Sequence, residues 1–163
     1  MERKKKKTVI AILVLLLIAI GTWFYIQQKG NHPLLDFDKS AKTYKSKIKK
    51  PEEWSEDKIA FPAFKEVKVL QGSDKFYMAL ENPAFNEAYL QFSLTLAGEK
   101  NPFYETGLVK PGEAVTEVPM PKQLSVGNHI IKLSMKAFAP NDEKTKLNGT
   151  NVDFNLRILE KGE

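Results

Sequence analysis

The chain has 163 residues, a net charge of +5 at neutral pH and no cysteine. That length fits one domain of ordinary size with a short appendage, and the missing cysteines exclude disulfide staples, thiolate-bound metal and a lipid-modified cysteine anchor. The charge is a poor argument for nucleic acid: residues 1–7 hold five basic residues and one acidic one, leaving 20 basic against 19 acidic residues in the rest, with no basic face in view.

Residues 1–7, Met1-Glu2-Arg3-Lys4-Lys5-Lys6-Lys7, form a basic tip. Thr8–Ile26 follows as nineteen residues without a charge or a proline, twelve of them Val, Ile, Leu or Phe. As a helix it would be about 28 Å long, close to the hydrocarbon thickness of a bilayer. Trp23 and Tyr25 fall at its far end, where amphipathic rings favour the headgroup level. The basic tip predicts a single-pass anchor with its N-terminus in the cytoplasm and the rest of the chain outside the cell. A cleavable signal would need a small-x-small site; Ala19-Ile20-Gly21 is the only such triplet, and cutting there would leave five largely apolar residues, Thr22–Ile26, at the new terminus. The span is therefore read as an uncleaved signal-anchor. A disulfide-free exported domain suits a Gram-positive envelope.

Residues 27–57 are polar, with seven lysines and two prolines. Leu34, Leu35, Phe37, Ala41, Tyr44 and Ile48 recur at three- and four-residue steps. The segment is a stalk with two readings: a solvated spacer, or a short amphipathic helix lying on the membrane surface or docked on a neighbouring chain.

From residue 58 to 163 short apolar runs alternate with turn signals, the pattern of an all-β, immunoglobulin-like, seven-stranded antiparallel sandwich. The expected strands are residues 59–70 (interrupted by Pro62), 75–81, 87–97, 102–109, 114–120, 128–138 and 151–159. Phe76, Met78 and Leu80 share one face, as do Leu90, Phe92, Leu94 and Leu96; Ile131, Leu133, Met135 and Ala137; and Val152, Phe154, Leu156 and Ile158. Pro119 marks its strand as an edge. Asn82-Pro83, Lys110-Pro111-Gly112 and Val126-Gly127-Asn128 supply turns, and Asn148-Gly149 is a turn dipeptide with positive-φ potential.

Little in this inventory can do chemistry. Two separated histidines, His32 and His129, argue against zinc or a Cys–His nucleophile, and no G-x-S-x-G, phosphate-binding loop or dinucleotide fingerprint occurs. Asn141-Asp142-Glu143 reads as a solvated turn before a calcium site, and Asn148-Gly149-Thr150 as a turn before a glycan acceptor. No cofactor and no enzymatic activity are expected. Tyr77, Tyr89 and Phe138 instead fall on the outward phase of strands whose inward phase is already filled. Such rings either pack under loops and edges or contact a partner. Lys132 and Lys136 share the outward phase of Phe138 and would form a polar rim around it.

The segment Ile59–Lys161 resembles the small, uncharacterised exported immunoglobulin-like domains found widely in Firmicutes, including on mobile and conjugative elements. The resemblance rests on Asn82-Pro83 with Asn86, Gly107-Leu108-Val109 before Pro111-Gly112-Glu113, Gly127-Asn128-His129 and Leu147-Asn148-Gly149. That family usually has Gly where this chain has Ala63, and Gly-Thr-Tyr at 127–129. The resemblance implies an N-terminally anchored extracellular sandwich and supplies no catalytic residues. The expected function is that of a non-enzymatic accessory or structural subunit of a cell-envelope assembly of the secretion or conjugation type. It would have protein partners, bilayer contact through residues 8–26 and no nucleic acid. The alternative is a cell-surface module that binds wall polymer or another surface molecule.

Overall fold

Strand alternation dictates most of what forms. In a computed structural model, whose described residues are 16–18, 20–22, 36–121, 124–140 and 142–160, nine strands occur among those residues. They are β1 (Lys42–Thr43), β2 (Glu66–Leu70), β3 (Lys75–Glu81), β4 (Tyr89–Leu96), β5 (Tyr104–Glu105), β6 (Glu113–Pro119), β7 (Gly127–Ala139), β8 (Asp142–Lys146) and β9 (Thr150–Leu159). Two units divide the chain, Met1–Leu34 and Leu35–Glu163. Within the first, residues 16–18 and 20–22 are helical, and Thr22 Oγ1 donates to the Ile18 carbonyl one turn back. Among the described residues no helix is long and apolar enough to cross a membrane; most of Thr8–Ile26, and all of the basic tip, lie outside them.

The second unit is a β-sandwich. One sheet has the order β1-β6-β3, the other β2-β9-β7-β4-β5, with β8 paired to the end of β7. Phe76, Met78, Leu80, Val115 and Val118 of the smaller sheet pack in one cluster with Leu90, Phe92, Leu94, Ile131, Leu133, Met135, Phe154, Leu156 and Ile158 of the larger. Each such side chain contributes about 1.5–3 kcal/mol by leaving water. These are the faces that alternation predicts, with Leu96 and Val152 half-buried at the margins.

The expected seven antiparallel strands need correction on three counts. β1 and β8 are additional, and β2 runs parallel to β9, pairing Glu66 with Asn155 through Leu70 with Leu159. β2 and β9 are joined through residues 71–149, which carry six other strands, so no tight hairpin forces them antiparallel. β6 is also central rather than an edge. Pro119 is tolerated there because β1 reaches only Glu113 and Ala114, while the neighbouring bond to β3 is made by Met120 N to Asp74 O.

Residues 36–57 belong to this unit. Asp38 N donates to Leu108 O, Leu108 N to Asp36 O and Tyr44 N to Gly112 O, so the chain lies along 107–114 as added strand. Neither a helix nor a free spacer is seen over these residues; residues 27–35 lie outside the described ones. The Asn82-Pro83…Asn86 motif fixes the adjoining corner. Asn82 Nδ2 donates to the Ala88 and Val109 carbonyls, while Asn86 exchanges bonds with the Ala60 backbone and donates to Asn82 Oδ1. Both amides are buried, and apart from the bond between them their groups serve the backbone at Ala60, Ala88 and Val109.

Candidate functional site on the outer face of the larger sheet

Outward residues of β4 and β7 meet in register. Tyr89 lies directly across from Phe138, Gln91 from Lys136 and Thr95 from Lys132. Directly opposed residues share a face, so four of the five expected contact residues come together on the side of the larger sheet away from the core. Tyr77 does not join them. It sits on β3 in the other sheet, opposite Glu117, 66% exposed, with Lys75 Nζ 5.7 Å from its ring and 2.6 Å from Glu117 Oε2.

Alternation could not reveal what covers Tyr89. Phe37, from the segment expected to be stalk, packs edge-on against it with ring centroids 5.2 Å apart and planes at 85°. Lys110 Nζ stands 4.3 Å from the Phe37 centroid on the ring face, a cation–π contact. Asp38 holds this cover down: its carboxylate accepts from Gly107 N at 2.9 Å and from the Ser40 amide and hydroxyl. Beside it, burial pushes the Tyr104 phenol above its ordinary range, the Asp38 carboxylate adds to the rise, and a hydrogen bond with Ser40 opposes it.

Tyr89 is thus half-buried under its own chain. Phe138 and Lys136 are half-buried and Lys132 is exposed, with Asp153 of β9 across from Lys132. Ile130 extends the same outward row and is 51% exposed. Strict alternation from Ile131 places Ile130 outside, but the Ile-Ile pair hides it from a reading that asks only which residues are apolar. Phe37 and Lys110 carry no comparable signal, because their role depends on how 36–38 pairs with 107–109. Of the other rings near turns, Phe103 packs against the core and Phe85 packs edge-on against Trp54.

A second feature is a cleft of about 950 Å³. Its walls are the irregular stretch from Trp54 to Phe61, the start of β4 at Glu87 and Ala88, and the turn at Lys146–Asn148 with Pro140. Asn148 is exposed, and Gly149 is required by a close approach rather than by positive φ: a Cβ there would lie 2.6 Å from the Met135 carbonyl oxygen. Among the described residues no group of three or more His, Cys, Asp or Glu could hold a metal ion.

No protein-family model matches the chain. No curated protein matches it either. Among solved structures the chain is similar to the periplasmic chaperone SfaE, at 12% identity and a TM-score of 0.37, over 58% of this chain and 54% of that one. The chain thus spans about half the length of that chaperone, and a score of this size does not identify a shared fold.

Proposed function

We propose that this chain is a membrane-anchored, immunoglobulin-like sandwich that serves, without enzymatic activity, as a protein-binding subunit of a cell-envelope assembly of the secretion or conjugation type. The immunoglobulin-like assignment is supported by strand order. β4, β7 and β9 share one sheet and β3 and β6 the other, the partition of the C, F and G strands from B and E in that fold. The anchor rests on the sequence of residues 1–26 and the Gram-positive envelope on the absence of cysteine; the type of assembly rests on the family resemblance alone. With that anchor the domain lies outside the cell and the N-terminus inside. Protease added to intact protoplasts then removes the sandwich, whereas its survival until lysis would reverse the orientation.

The observation that carries the binding role is the row Ile130, Lys132, Lys136 and Phe138, two lysines flanked by apolar residues on a sheet face where, among the described residues, a ring packs over Tyr89. Aromatic residues are enriched at interfaces, and the lysines suit an acidic partner surface. Combining Lys132→Glu, Lys136→Glu and Phe138→Ala is expected to weaken partner capture by about 2 kcal/mol or more. Quantitative co-purification from membranes, with the melting temperature measured alongside, checks this. Full capture by a folded triple variant would remove the face from consideration.

One observation favours a second reading, the cell-surface module for wall polymer or another surface molecule. It is the cleft, which has aromatic residues in its lining.

A further inference from the structure

Trp54 and Phe61 supply the two aromatic rings of the cleft. Phe85 packs against Trp54 edge-on at 4.8 Å and 78°. That contact restrains the ring before any ligand arrives, which lowers the ordering cost of binding. Glu56, Asp57 and Glu87 line the same space, as do Lys58 and Lys146. The Ser55 hydroxyl donates to Asp57, which holds that carboxyl below its ordinary range and keeps it an acceptor.

These groups constrain the ligand. Three carboxylates against two ammonium groups repel a polyanion such as nucleic acid or polyphosphate. Carboxylates accept and ammonium groups donate, so a ligand rich in hydroxyls, each of which does both, can satisfy the two kinds of group around one cavity. The rings offer apolar faces on which the C–H face of a sugar can stack. A peptide strand would be gripped through main-chain bonds at a sheet edge; the 54–61 wall forms no strand, and the lining touches strand only at Lys146, the last residue of β8. The volume lies at the upper end of the range for ligand pockets, about 300–1,000 Å³. We propose that the cleft between Trp54–Phe61, Glu87 and Lys146–Asn148 binds a saccharide chain. This rests on the second reading above and names its ligand class.

The test uses the full-length chain in detergent micelles. The chain has two tryptophans, so Trp23→Phe leaves Trp54 as the only indole. Its emission is followed while the N-acetylglucosamine tetramer, the deacetylated tetramer or tetra-alanine is added. A saturable change with either sugar, at a Kd of roughly 0.1–1 mM, is expected, and none with the peptide. Glu87→Gln, which preserves shape, is expected to weaken sugar binding about tenfold, a loss of about 1.4 kcal/mol. Silence with both sugars, a response to the peptide instead, or a sugar response unmoved by both Glu87→Gln and Lys146→Gln would overturn the proposal. Sedimentation with purified cell-wall material separates the two claims. Retention on wall material while both sugars are silent ends only the saccharide assignment, and absence of both ends the surface-module reading as well.

Discussion

At Gly107, two backbone segments 69 residues apart leave no room for a methyl group. A Cβ there would lie 2.6 Å from the Asp36 carbonyl oxygen and 2.7 Å from the Asp38 nitrogen, both main-chain atoms that cannot rotate away. The Gly107 amide also donates to the Asp38 carboxylate across that separation. Gly107→Ala is therefore expected to push residues 36–38 off the sheet, at a cost of about 1–3 kcal/mol. The melting temperature should fall, and hydrogen exchange should quicken at the Asp38 and Leu108 amides, whose bonds join the two segments. An unchanged melting temperature with unchanged protection would mean that the segment is not held where the hydrogen bonds place it.

At the level of elements, the strands legible in the sequence are those with one face in the core. The rows Phe76-Met78-Leu80, Leu90-Phe92-Leu94 and Phe154-Leu156-Ile158 are buried as alternation requires. Alternation reports burial, though, and not pairing. It says nothing about β2 running parallel to β9, since a parallel and an antiparallel strand bury the same side chains. β8, Asp-Glu-Lys-Thr-Lys, has no apolar row at all, and its pairing with Phe138 and Ala139 follows from the length of β7. The segment 36–48 misleads for a different reason. Phe37, Ala41, Tyr44 and Ile48 have helical spacing and are all half-buried, yet the chain there is extended or turning. Tertiary partners along 107–114 outweigh a weak local preference, as they commonly do. The candidate site was legible to the same extent. Register joins Tyr89 and Phe138 because both lie on central strands, whereas the Phe37 cover depends on a pairing that no local pattern encodes.

Across the whole sandwich, the two outer faces differ. The smaller sheet presents Tyr77 among Lys75 and Glu117, an exposed ring within an ion pair. The larger presents Lys132 and Lys136 between Ile130 and Phe138, beside Tyr89, which Phe37 covers. If a protein partner is held, the second face holds it. A photo-crosslinking residue placed in intact cells at position 138, and separately at position 77, tests this most directly. The account predicts that position 138 captures one defined envelope protein as a discrete adduct, with position 77 giving little or none and both variants melting as the parent does. Equal adducts at both positions, or none at 138 in a folded protein, would contradict it.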